Sequence, residues 1–341
     1  MKRDQLEMFT KLDSLVCLDH PYRKFETVVD LDALANPVSA LYCDRGRPEL
    51  GAERAFGMLV LQFLEDISDR EMERFMRENL AAKWFCGFGL SDRTPDHSFF
   101  GSLRKRLGTK RVMDIFNRLR ASLKAAGLIR EVFTFVDASQ LVSKLSTWDE
   151  RDRAIAKGLE TFNNETAPKI AADRQARFGS KGKDKYWYGY KEHASVDMQS
   201  GLINKVAATP ANVDDAKGLR HVCPDQGGVY ADKAYCTTPA QNALNRKGCH
   251  SAAIKKNNMT GKNRDKDRWL SKMRAPYERV FSKRSKQVRY RGQAKVQFQL
   301  ACNAIGHNLK RLVVLGAVSY THLRAHETKA NLVCRLLLEK K

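Results

Sequence analysis

The chain has 341 residues, 43% of them hydrophobic, which is enough for two ordinary domains with real cores and excludes a disordered chain. Lys and Arg number 61 against 39 Asp and Glu, and the resulting +22 calls for an extended polyanion such as nucleic acid rather than an acidic small molecule. The longest apolar run, AFGMLVLQFL at 55–64, is far short of the roughly 20 residues a membrane helix needs, and Met1-Lys2-Arg3-Asp4 leads into no signal-peptide core, so a cytoplasmic protein is expected.

Eight cysteines occur with no C-x-x-C pair, so neither a zinc site nor a disulfide framework is indicated. From residue 50 to about 126 the apolar spacing is helical. LVLQFLEDI leads to Ser68, whose partner Glu71 three residues on makes a capping box for the helix REMERFMREN. A Pro95-Asp96-His97-Ser98 turn opens a third helix, SFFGSLRKRL, and Thr109 to Ala125 reads as a fourth, stopped by Gly127. Residues 1–127 are therefore expected to form an all-helical N-terminal domain for DNA binding and assembly. Its cluster of Arg104, Lys105, Arg106, Lys110 and Arg111 is either a solvated face or a DNA-reading helix of the helix-turn-helix kind.

After Gly127 the period changes to two. VFTFVDAS, YGYKEHASVD, GLINKVAATPA, GGVYADKA and CHSAAIKK are five strand candidates, the second and third joined by a hairpin-like Met-Gln-Ser-Gly. The polar stretch 149–185 reads as a mobile loop with at most one short helix. Helical patterning returns at Ala211–Val222, at Thr238–Lys247 and from Trp269 to about Leu315. The order predicts an α/β domain over 128–316, a mixed five-stranded sheet with flanking helices. The final segment, 317–341, changes character after NLKRLVVLG. One choice of codons from Val318 onward spells a sequencing-library adapter, an index and a run of adenines, so this segment is read as non-native and set aside.

Three acidic residues in unlike settings carry the chemistry: Asp137 in FTFVDASQL, Asp232 in GGVYADKAY and Glu278 in MRAPYERVF. Each taken alone has a mundane reading, as turn former, cap or surface ion pair. Carboxylates clustered in a partly buried site repel one another unless a cation neutralises them. Oxygen donors without a Cys or paired-His motif select Mg²⁺ or Mn²⁺ over zinc, and two such ions would activate the attacking hydroxyl and stabilise the leaving oxygen of an in-line displacement. Glu278 lies in the segment 255–311, where 17 Lys or Arg face three acids. Arg274, Arg279, Lys283, Arg284, Lys286, Arg289 and Arg291 are too many charges for a core, so they form a solvated face or a phosphate track, and their density favours the track.

The run TFVDAS, YGYKEHASVDMQSGLI, VYADKAY and YERVFSKRSKQVRYRG resembles the DDE transposases of bacterial insertion sequences, in particular the family numbered five. YCDRGRPEL, DISDREME and TPDHSFFGSLRKRL resemble the helical domain that precedes the core there, so the likeness spans about residues 15–312. It implies a ribonuclease H-like catalytic core in which Asp137, Asp232 and Glu278 bind two Mg²⁺ or Mn²⁺ ions. Arg274 matches the family's arginine, whereas the basic residue expected seven positions after the glutamate is Ser285, flanked by Arg284 and Lys286. His193 and Asp197 match a family pattern, with Lys191 and His193 as candidate DNA contacts, although a strand histidine satisfied internally is the commoner case. The implied activity is cleavage at the inverted repeats that end the element and transfer of the 3′-hydroxyl ends to target DNA, by a homodimer when DNA is bound, in the bacterial cytoplasm at the nucleoid. The rival is a catalytically inactive, truncated or repurposed transposase that only binds DNA.

Overall fold

The computed structural model describes residues 11–39, 50–143, 163–181, 185–256, 259–282 and 285–322. They belong to two compact units, Met1–Ser122 with Ile305–Lys341, and Leu123–Ala304.

The described part of the first unit is helical: α1 (Leu12–Leu15), α2 (Pro21–Val28), α3 (Leu31–Ser39), α4 (Ala52–Leu64), α5 (Asp69–Glu78), α6 (Leu80–Phe85) and α7 (His97–Ala125), which runs on into the second unit. Every residue of α4 from Ala55 to Leu64 is buried, as an apolar run with no polar stripe requires of a central helix. The expected capping box is formed: Glu71 N donates to Ser68 Oγ at 3.3 Å and Ser68 N to Glu71 Oε2 at 2.8 Å. Gly108 (φ 64°, ψ 167°) breaks α7 where the junction of two helices was expected. Arg104 grips both oxygens of Asp69 at 2.7 and 2.6 Å, so this member of the basic cluster is a strut between α5 and α7, not a free phosphate ligand. Lys105 and Arg106 are exposed.

The second unit is built on a mixed sheet of β1 (Phe133–Val142), β2 (Arg177–Lys181), β3 (Lys185–Asp197), β4 (Ile203–Pro210), β5 (Gly228–Ala231) and β6 (His250–Ala253). β3 runs antiparallel to β1 and to β4, while β1, β5 and β6 are parallel neighbours. The α/β expectation is met, but the sheet has six strands among the described residues, not five. The additional strand, β2, lies inside the stretch expected to be a mobile loop, after the short helix α8 (Ala167–Ile170). Its glycine, serine and charged ends hide the period of two, and the aromatic start of β3 supplies its partner: Phe178 packs on Tyr188 with ring centroids 5.1 Å apart. Gly189 pairs with Val142 on one side and Arg177 on the other, so β2 extends the β4 edge of the sheet. A Cβ at Gly189 would run into the Leu141 carbonyl, which is why glycine stands there.

Helices α9 (Asp215–Val222) and α10 (Thr238–Asn245) cover one face, burying Val136, Val229 and Ala231 against Leu219, Val222, Ala240 and Leu244. The other face carries Phe135 and Tyr230, which meet Tyr277 and Trp269 of α11 (Arg264–Ser282). The single helix expected from Trp269 to about Leu315 is two, α11 and α12 (Gln293–His322), because the chain between them turns back to the sheet. Val142 N donates to Lys286 O at 2.7 Å, and Gly292 adopts φ +92°. α12 continues into the first unit and past residue 317, into the segment set aside above, whose residues 323–341 lie outside the described ones. Its first turns protect the outer edge of β4. Gln293 donates to Ala208 O at 2.9 Å, and Gln297 accepts from Ala208 N at 2.7 Å and donates to Val206 O at 3.1 Å. An exposed edge strand is thereby capped without another strand.

Candidate active site

Phe135 of β1 and Tyr230 of β5 are the last register pair before these parallel strands diverge. Asp137 and Asp232 each lie two residues further on: Asp232 directly follows the carboxyl end of β5, while Asp137 lies midway along β1, where that strand has parted from β5 and pairs only with β3, so both stand at the crevice that opens between the diverging strands. Asp232 is the N-cap of the 3₁₀ turn Lys233–Tyr235 and accepts from Lys233 N at 2.7 Å, a local bond that explains how the chain leaves β5. Asp137 accepts from Ala138 N at 2.8 Å. Glu278 comes from α11, on the face of the sheet opposite α9 and α10. All three line one cleft of about 520 Å³, together with Asp215, Tyr235, Lys181, Lys191 and Lys286.

Arg274, one helical turn before Glu278, lies between two of these acids. Its Nη1 is 3.5 Å from Asp232 Oδ1, its Nη2 3.6 Å from Glu278 Oε1, and its guanidinium carbon 5.6 Å from the centre of the Phe135 ring. With the side chain 9% exposed, Arg274 is an internal counter-ion here and not part of an exposed phosphate track. Burial pushes the Asp137 carboxyl up to about 6, against the pull of the Ala138 amide and the positive charges of Arg274 and Lys181. Among the described residues no three His, Cys, Asp or Glu side chains stand close enough to hold a metal ion as they are. The donor set nevertheless fits a hard divalent cation: carboxylate oxygens only, one whose charge burial disfavours and a cation would offset, in a cleft where a positive charge already bridges two of them.

Of the other expected contacts, His193 is fully buried. Its Nε2 is 2.8 Å from Thr209 Oγ1, and a Cβ on Gly218 of α9 would run into its ring. Burial lowers its pKa to about 3, so it is a neutral packing residue and the expectation of a DNA contact is corrected. Lys191 is half-buried, its Nζ 2.8 Å from Asp215 Oδ1 and donating to Val213 O at 2.9 Å, so its charge is already engaged. Asp197 is buried and caps the β3–β4 turn through the amides of Gln199 and Ser200. Lys286 is exposed on the rim of the cleft, Arg291 is exposed and Arg289 half-buried. The Arg279 side chain, Lys283 and Arg284 lie outside the described residues. Three residues of the cleft escaped the sequence: Lys181 is one of several lysines in a polar stretch, Asp215 reads as a first-turn acid after the N-cap Asp214, and Tyr235 reads as core.

No helix of the described residues is long and apolar enough to cross a membrane. Residues 10–106 match the family model described as Transposase domain (DUF772), and residues 156–309 match the model described as Transposase DDE domain. Among solved structures, the piggyBac transposase synaptic complex with hairpin DNA, determined by cryo-EM, is similar over 91% of this chain and 83% of that one. The identity is 10% and the TM-score 0.40.

Proposed function

Because the chain belongs to the DDE transposases of the insertion-sequence type, and DNA transposition of that class depends on divalent metal, we propose that Asp137, Asp232 and Glu278 are its catalytic carboxylates. The observation that carries this is the convergence of the middle of β1, the end of β5 and one helix on a single cleft, from positions 137, 232 and 278 that are far apart in the chain. We place two Mg²⁺ or Mn²⁺ ions on these oxygens, where they would activate water or a 3′-hydroxyl and stabilise the leaving oxygen.

The chain's own residues divide the remaining work. Asp137 and Asp232 set the floor of the site from the sheet, and Glu278 closes it from α11. Arg274 holds the charges of Asp232 and Glu278 together and so preserves the site against the repulsion of its acids. Lys181 and Lys286, together with Lys105, Arg106, Arg279, Lys283, Arg284, Arg289 and Arg291, supply the positive field for the phosphate backbone. Cleavage and joining use the same site with water and then the DNA 3′-hydroxyl as nucleophile, so no side-chain covalent intermediate is required. The substrates are the inverted-repeat ends of the chain's own element and a target duplex, held by a homodimer when DNA is bound, since two equivalent ends imply a two-fold assembly. This work belongs in the bacterial cytoplasm, at the nucleoid.

Asp137→Ala, Asp232→Ala and Glu278→Ala are each expected to abolish Mg²⁺-dependent nicking of element-end DNA while gel-shift binding of the same DNA persists. Retained nicking in any of the three removes that residue from the catalytic set.

A further inference from the structure

Tyr235 is 3% exposed and lines the cleft, and among the described residues its oxygen has no hydrogen-bond partner. Burial, together with the negative fields of Asp137, Asp215 and Asp232, holds its proton on well above the ordinary range for tyrosine. A protonated phenol among three carboxylates is a donor in search of an acceptor, and buried donors are rarely left unsatisfied. Asp215 reaches the same cleft from α9, the layer opposite Glu278, and is tied down by Lys191 at 2.8 Å. Neither Tyr235 nor Asp215 is one of the three carboxylates assigned above.

We propose that Tyr235 and Asp215 assist cation loading: the Tyr235 hydroxyl is a positioning group that donates to a carboxylate of the centre once the acids are drawn together, and Asp215, fixed in the cleft by Lys191, adds a carboxylate to the field that draws the cation in. The proposal rests on the metal-site reading of Asp137, Asp232 and Glu278. It makes an unusual paired demand on Tyr235→Phe. The substitution removes a hydroxyl that bonds to none of the described residues in the unloaded protein, so the metal-free unfolding midpoint should stay the same or rise, yet cation binding should weaken.

The test measures Mn²⁺ binding to the full-length protein by the loss of the free-ion EPR signal, with metal-free thermal unfolding in parallel. Tyr235→Phe and Asp215→Asn are each expected to weaken Mn²⁺ binding about ten-fold, as loss of an orienting partner does, with nicking recovered at raised Mg²⁺. Wild-type Mn²⁺ affinity in Tyr235→Phe, or a lowered metal-free midpoint, overturns the role of the hydroxyl, and wild-type affinity in Asp215→Asn overturns that of the carboxylate. Asp137→Ala is the control: if it too binds Mn²⁺ as the wild type does, the metal-site reading has failed rather than this one.

Discussion

Burial lifts the Asp137 carboxyl from 3.8 to about 6, and the direction of that shift sets how it couples to folding. Between these values the unfolded chain has lost the proton while the folded chain keeps it, so this group's contribution to stability falls as pH rises from about 4 through about 6. At neutral pH the metal-free protein carries a cost on the order of 3 kcal/mol from this one charge. Asp137→Asn is therefore expected to raise the unfolding midpoint of the metal-free protein at pH 7.5 while eliminating nicking, the gain shrinking as the pH falls toward 4. A variant less stable than wild type at pH 7.5 contradicts the cost assigned to the buried charge. His193 has the opposite sign. Its pKa is lowered to about 3, so its contribution is present above its ordinary value of 6.5 and is lost as pH falls through the folded value. Because Gly218 leaves no room beside the His193 ring, Gly218→Ala should cost about 1–3 kcal/mol by denaturant unfolding, the usual range for overpacking. An unchanged midpoint would show that the ring has space to move.

Elements are held in place here by polar side chains that meet backbone groups. The glutamines of α12 take the hydrogen bonds that a further strand would have given β4. Gln297→Leu keeps the size of the side chain but leaves Ala208 N and Val206 O without these partners, for which about 1–3 kcal/mol is expected. Hydrogen exchange should localise the loss to the Ala208 amide, and unchanged protection there would mean that water replaces the glutamine at no cost. The α5 capping box and the Gly108 break in α7 were legible in the sequence because both depend on residues within a few positions of one another. The division of α11 from α12 was not legible, because the segment between them is turned by its bridge to Val142, a partner far away in the chain.

For the whole molecule, a +22 chain with Lys181 and Lys286 at the mouth of an acidic cleft should bind DNA with strong salt dependence. Each of Lys181→Ala and Lys286→Ala is expected to reduce the slope of log K against log salt by about one if it contacts a phosphate. Equal slopes for wild type and variant would assign that lysine to the solvated surface. His193→Gln should leave the slope untouched, because the imidazole is buried and neutral.

The sequence by itself determined the class of partner, the helical and α/β segments, and the three carboxylates that line one cleft, because charge excess, hydrophobic period and an acid beside an apolar run are local properties. Only the tertiary structure decided what the basic residues do. Arg104 and Lys191 are consumed by Asp69 and Asp215, Arg274 is turned inward between Asp232 and Glu278, and His193 is packed under α9. A charge is free for DNA only if no nearer acid claims it, and nearness in space is set by the sheet register and helix placement. The same reason hid Asp215 and Tyr235: each has an ordinary local reading as a first-turn acid or a core aromatic, and only the packing of α9 and the 3₁₀ turn onto the strand ends brings them to the cleft.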